Sequence, residues 1–214
     1  MNIDKRSSKA ALTQRGEVRR AKLLEVAAEE FLAAGFAQTS MMTIVRKAGG
    51  SATTAYQLFD NKEGLLRAVL QREFDGLEAE FFPADLTDKP PREALPIIGL
   101  RLLGYLVQPR SVAFYRLLVS EGHRIPGIAE YFRQIVVLQI VLPFERYLRD
   151  SCARGELSID DPANAAYLLG NLIQGMANEA RISGGYSWGV GPIEEQMCRS
   201  CIESILQIWI RTKN

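Results

Sequence analysis

The chain has 214 residues, 47% hydrophobic and 24% charged, with a formal net charge of +1. This is a globular composition, long enough for one large domain or two small ones, and it excludes a disordered tail. No apolar run approaches the roughly 18–20 residues that span a bilayer, the polar, basic start MNIDKRSSKAALTQRG gives no expectation of a secretory signal, and three cysteines make no disulfide scaffold, so the expected home is the reducing cytoplasm, with no membrane partner.

A single histidine, His123, argues against histidine catalysis and against zinc sites with two His ligands. Charge is unevenly spread. Residues 1–72 hold 12 Lys and Arg against 7 Asp and Glu, and residues 73–214 hold 14 against 18. The positive first third fits either a polyanion partner or a solvated basic face. Lys5, Arg6, Lys9 and Arg15 form a basic arm, either idle or able to follow a groove of DNA.

Apolar periodicity is helical nearly throughout. Val18, Leu24, Ala28, Phe31 and Leu32 share one face of a helix from about 14 to 34, closed by Gly35. Ile44, Val45 and Ala48 mark a short helix stopped by Gly49, and Ala55, Leu58 and Phe59 mark another. Leu66, Leu70, Phe74, Leu77 and Phe81 predict one long amphipathic helix over 61–82, ending at Pro83. The polar stretch 84–91 reads as a connection. Helices are predicted over about 92–107, 110–121, 126–153, 162–182 and 192–211, with Asp161-Pro162 as a strong start and Ser183-Gly184-Gly185 as a stop. Pro96 and Pro143 should each kink or interrupt a helix. The fold class is all-α with about nine helices. It divides into an N-terminal three-helix helix-turn-helix domain with its arm (1–60), a connecting helix (61–82) and a helical ligand-binding and dimerisation domain (83–214).

The segment TSMMTIVRKAGGSATTAYQLFDNKEGLL carries the function. Helices of eight residues are marginal in water and persist only when packed, here on the long first helix. Two of them joined by Gly49-Gly50-Ser51 make a helix-turn-helix, with Ser51 as cap of the second. Opposite the apolar face of that second helix stand Ala52, Thr53, Thr54, Tyr56 and Gln57. These side chains are uncharged, and mostly small or hydrogen-bonding. They suit a major groove: hydroxyls reach phosphates and a glutamine amide matches an adenine edge. Lys62 follows within reach of phosphate.

Gly35-Phe36, Thr39-Ser40, Ile44, Ala48-Gly49, Ser51, Thr54, Tyr56, Phe59, Lys62-Glu63 and Leu65-Leu66 match in register the N-terminal signature of TetR/AcrR-type transcriptional regulators, which residues 14–70 therefore resemble. Phe114–Phe132 and Arg154–Gly175 resemble the ligand-binding region of AcrR-like members. The resemblance implies a homodimer on a near-palindromic double-stranded DNA operator, released by a small molecule. It places Thr54 and Tyr56 on phosphate or sugar, Lys62 on phosphate, Ala52, Thr53 and Gln57 on bases, and Thr39, Ser40 and Met41 on the flanking backbone. Gly50, Thr53, Ala55 and Ala52 depart from the pattern, which bears on base preference.

The last two helices have apolar arcs too wide for one-sided packing, so each should face both the core and a second subunit. Leu172, Met176, Ile202, Leu206 and Trp209 are the expected dimer interface. Asn171, Gln174 and Asn178 share one face and fit either a cavity or the dimer contact. Tyr105, Phe114, Leu118 and Phe144 fit a pocket for a hydrophobic or amphipathic ligand, and fit core packing equally. Cys198-x-x-Cys201 sits within a helix and reads as packing, without the second pair or His that zinc requires. No catalytic motif, metal site or cofactor motif is found. The expected protein is a regulator, most simply a repressor, whose ligand tilts helix 61–82. The alternatives are an activator or ligand-independent DNA-binding factor, and, from other classes, an all-α small-molecule enzyme or a protein-only adaptor.

Overall fold

The computed structural model describes residues 13–183 and 189–210. Lys5, Arg6 and Lys9 of the arm, and the Gly184-Gly185 stop, lie outside the described residues. The described residues are helical apart from turns and one isolated antiparallel bridge between Leu157 and Ile210. None of their helices is long and apolar enough to cross a membrane. The chain divides into two compact units, one ending at Val69 and the other beginning at Leu70.

The first unit begins with α1 (Gln14–Ala34), capped by the Thr13 hydroxyl, which accepts from the Gly16 N–H. Its inner face buries Leu23, Leu24, Ala27, Ala28 and Phe31. Each such leucine or phenylalanine contributes about 1.5–3 kcal/mol of transfer free energy. Two eight-residue helices follow, α2 (Met41–Ala48) and α3 (Ala52–Phe59). Ser40 caps α2 by accepting from the Thr43 N–H at 3.0 Å, and Ser51 caps α3 by accepting from the Thr54 N–H at 3.1 Å. Gly49 closes α2 in the left-handed region (φ 70°), which a glycine adopts without strain.

The predicted helix 61–82 is two helices. α4 (Lys62–Phe74) ends at Asp75-Gly76, where Gly76 takes φ 78°, and α5 (Leu77–Phe81) resumes. The apolar spacing runs through the break because Phe74, Leu77 and Phe81 are buried on both sides of it. The division between the units falls inside α4, so the expected connecting helix contributes to both.

In the second unit, the polar connection contains a short helix, α6 (Ala84–Thr87). Then come α7 (Pro91–Leu106) and α8 (Pro109–Glu121). α7 continues through Pro96 without interruption; the ring is buried and omits a single backbone bond. Pro143 does act. Between α9 (Ile128–Val136) and α10 (Leu142–Ala153) the chain forms one π turn, Val137–Val141, in which the Leu142 N–H donates to the Val137 carbonyl. Proline lacks the N–H that would hold the regular ladder one residue on. The unit closes with α11 (Pro162–Met176), α12 (Asn178–Ser183) and α13 (Pro192–Trp209). α11 starts as its sequence requires, the Asp161 carboxylate accepting from the Asn164 N–H.

Gly64 lies where α4 passes the end of α3. A Cβ there would stand 2.0 Å from the Phe59 carbonyl oxygen, a backbone atom that cannot step aside. Gly64→Ala is therefore expected to destabilise the first unit by about 3 kcal/mol, seen as a lower urea midpoint by circular dichroism; an unchanged midpoint would show that the helices separate freely.

Candidate functional site

On α3 the apolar residues turn inward, with Ala55 and Phe59 buried, and Thr53, Tyr56 and Gln57 stand exposed on the other side. Ala52 and Thr54 are half-buried at its start, where the Thr54 hydroxyl meets the Ser51 hydroxyl at 2.8 Å. Ser40 is exposed at the start of α2, its hydroxyl 2.9 Å from that of Thr43. α2 and α3 border an open groove of about 390 Å³ lined by Met42, Thr43, Val45, Arg46, Gly50 and Ala52. Met42, Thr43 and Arg46 escaped the sequence reading. The signal was present, since Met41, Ile44 and Val45 turn inward and leave positions 42, 43 and 46 outside. The side chain that Gly50 lacks is replaced by Arg19: a Cβ on Gly50 would meet its guanidinium at 3.6 Å, and Arg19 also donates to the Gly49 carbonyl.

Three of the residues expected at DNA are engaged within the chain itself. Thr39 is only 3% exposed, and its hydroxyl faces the carbonyls of Gly35 (2.8 Å) and Glu30 (3.2 Å), closing the α1–α2 turn. Met41 is buried as the first inward residue of α2. Lys62 is turned onto its own unit. Its ammonium donates to the Phe36 carbonyl at 2.8 Å and the Thr39 carbonyl at 2.9 Å, and lies 4.3 Å over the Phe36 ring. Two of three donors are thus spent bracing that turn.

Two of the cavities in the second unit share a wall. One is an open cleft of about 310 Å³ lined by Phe132, Arg133, Val137, Tyr167, Asn171 and Gln174, among others. The other is a small, partly enclosed cavity of about 30 Å³ between Phe74, Tyr105, Phe114, Tyr115, Ile140 and Arg181. Phe132, Val136 and Gln174 belong to both walls. The structure therefore brings Tyr105, Phe114, Asn171 and Gln174 to cavity walls. It does not do so for Phe144, which packs against Phe81 and Phe82 with ring centroids 6.1 and 5.0 Å apart. Leu118 lines neither cavity, and Asn178 is exposed, accepting from Arg181 at 3.4 Å.

The residues expected at a dimer face divide between core and surface. Ile202 and Leu206 are 1% exposed, because α13 packs on α7 through Cys198, Ile202 and Leu206. The outward stripe of α13 is Ile193 (79% exposed), Met197 and Ile208 (79%). On α11, Tyr167 and Leu168 are exposed, with Leu172 and Met176 half-buried beside them; Trp209 is half-buried too. A wide apolar arc announces two partners without saying which edge belongs to which. Burial pushes the Cys198 thiol up to about 11, so it stays protonated and unreactive.

Two family models match the chain. Residues 23–69 match the one described as bacterial regulatory proteins of the tetR family, and residues 93–208, more than half of the chain, match the AefR-like transcriptional repressor C-terminal domain. The chain belongs to the TetR family. Curated relatives agree. The HTH-type transcriptional regulator SrpR of Pseudomonas putida is 28% identical over 165 residues, covering 76% of this chain and 75% of that protein. The DNA-binding transcriptional repressor TetR of Mycobacteroides abscessus is 24% identical over 200 residues, covering 94% and 98%. A TetR-family regulator from Mesorhizobium loti has the same fold, with a TM-score of 0.77 at 22% identity over 93% of this chain and all of that one. The flavonoid-responsive regulator FrrA superposes with a TM-score of 0.76 at 23% identity over 91% and 98%.

This TetR-family member is thus a DNA-binding transcriptional regulator and not an enzyme. Within it Lys62 serves as a brace. Lys62→Ala is expected to cost about 1–3 kcal/mol, the value of hydrogen bonds from a charged donor, read as a lower thermal midpoint. The remaining DNA binding should keep its slope of log affinity against log salt. A slope shallower by about one contact per subunit, with no thermal loss, would return the ammonium to phosphate.

Proposed function

We propose that the protein is a one-component cytoplasmic repressor. Two copies place their α3 helices in successive major grooves of a near-palindromic operator, and an amphipathic small molecule in the second unit releases them. The observation that carries this is the exposed, uncharged face of α3. Thr53 and Gln57 point outward to read bases, and Thr54 and Tyr56 reach phosphate or sugar, with Ser40, Thr43 and Arg46 on the flanking backbone. The repressor sense is supported by the description of the C-terminal model and by the Mycobacteroides abscessus relative.

The twofold contact is assigned to Leu168 and Leu172 of α11 with Ile193, Met197 and Ile208 of α13. So large an exposed apolar face fits a four-helix contact between copies. The expected tilt of a helix 61–82 does not survive its break at Gly76. Instead α4 runs unbroken from the Lys62 brace to Phe74, whose ring stands edge-on to Phe132 at 5.6 Å in the cavity wall. A ligand that displaces Phe132 acts on the end of this helix, and it shifts the equilibrium only by its differential affinity for the two arrangements.

Binding-site selection from random duplexes tests the reading. Wild-type protein should enrich an inverted repeat. Gln57→Ala should relax preference at one base pair per half-site by about 1–3 kcal/mol while leaving the others. Ile208→Asp with Leu168→Asp should yield monomers by light scattering and lose high-affinity binding. Dimers that persist in that variant would move the twofold contact elsewhere.

A further inference from the structure

Arg181 is only 7% exposed, and among the described residues no carboxylate pairs with it. Its Nε has no hydrogen-bond partner. One terminal nitrogen reaches the Asn178 amide oxygen at 3.4 Å, and the guanidinium lies 4.1 Å over the Tyr115 ring. Tyr115 also favours the charged form, but among the described residues no anion offsets the burial of this cation, which is costly. Burial accordingly lowers its pKa, yet an arginine remains protonated at neutral pH. A second cation sits beside it: Arg116 donates to the Arg181 carbonyl at 2.7 Å. By contrast, Arg133 at the neighbouring cleft is already bound by Glu130 through two hydrogen bonds of 2.8 and 2.7 Å.

The surroundings of Arg181 are aromatic and aliphatic: Phe74, Tyr105, Phe114, Tyr115, Phe132 and Ile140. The small cavity they form meets the open cleft at Phe132, Val136 and Gln174, and the π turn Val137–Val141 supplies residues to both. π turns recur at functional sites because they relax the helix ladder locally. A ligand that occupies both spaces must displace this shared wall, of which the Phe132 ring and the Gln174 amide are the rotatable members.

We infer that Arg181 anchors a monoanionic effector, an amphipathic carboxylate whose apolar body fills the joined cavity between Phe132 and Phe114 while its carboxylate pairs with the guanidinium. A planar carboxylate takes two parallel N–H donors from a guanidinium, and the unused Nε is one of them. The inference rests on the proposed reading of the cavity as the effector site.

The test uses the full-length protein with two matched pairs of probes, 2-naphthoate against 2-naphthalenemethanol and octanoate against octanol. Binding is measured by calorimetry. At least one acid should bind about tenfold or more tightly than its alcohol, the size of one charge-assisted hydrogen bond. Arg181→Met should abolish that preference. Without ligand the same variant should raise the thermal midpoint, because it removes an uncompensated buried charge, whereas a merely structural arginine would lower it. Arg181→Lys should keep the sign of the preference with a smaller ratio. Equal binding of acid and alcohol, no binding of either acid, or an acid preference unchanged in Arg181→Met overturns the inference. Operator release, followed by fluorescence anisotropy, separates it from the parent reading. Arg181-dependent acid binding without release keeps the anchor and removes the induction mechanism. Equal release by alcohols and acids does the reverse.

Discussion

An eight-residue helix does not hold together alone in water, and α3 is one. Its presentation to DNA depends on the apolar seat of the first unit. Phe31, Ile44, Ala55 and Leu65 are buried there almost completely, with Phe59 nearly so. The ends of α3 are fixed separately, by the Ser51 hydroxyl at the start and by the close pass of Gly64 under the Phe59 carbonyl at the finish. Lys62 adds the third restraint by tying the turn before α2 to the start of α4. In the proposed docking, with the backbone fixed in this way, Thr53, Tyr56 and Gln57 would lose little freedom on meeting a groove, and free energy otherwise lost to ordering would be retained for recognition.

The second unit is built on the opposite principle. Its core is filled by residues such as Phe81, Phe144, Leu95 and Ile202, but one corner retains a buried guanidinium and loosely filled space beside a π turn. Filling that corner with an anion would offset the desolvation of Arg181 and change the packing of Phe132 and Phe74 together, since their rings touch edge to face. Because α4 carries Phe74 at one end and Lys62 at the other, the cavity wall and the brace of the DNA-facing turn share one continuous helix. Under the proposed induction, coupling would run along this helix, and reciprocity would follow: a ligand that weakens DNA binding must itself bind less well to the DNA complex.

The elements written in local chemistry were legible from residues alone. α1, α2 and α3, the caps Ser40, Ser51 and Asp161, and the stop at Gly49 follow from periodicity and hydroxyl or carboxylate spacing. What failed depended on tertiary context. The period through Leu70, Phe74, Leu77 and Phe81 hides the break at Gly76, because a buried face can continue across a helix end. Thr39 looks like a surface hydroxyl until the α1–α2 turn encloses it, and Lys62 looks like a free cation until two carbonyls converge on it. On α13 the wide arc revealed two partners, but only the position of α7 decides that Ile202 and Leu206 face the core and Ile193 and Ile208 do not. Arg181 gave no sequence signal, since charge in a helix ordinarily means solvent.

The most direct measurement is the chemical protection of α3 by DNA. In a chain whose Cys152 and Cys201 are replaced by serine, Thr53→Cys places a thiol on the exposed face of α3, and Arg92→Cys places a control thiol on the exposed side of α7. With a duplex recovered by selection, maleimide labelling at position 53 should slow by at least about tenfold, and at position 92 it should not change. Equal rates at position 53 with and without bound duplex would show that α3 does not enter the groove, and the account would fail.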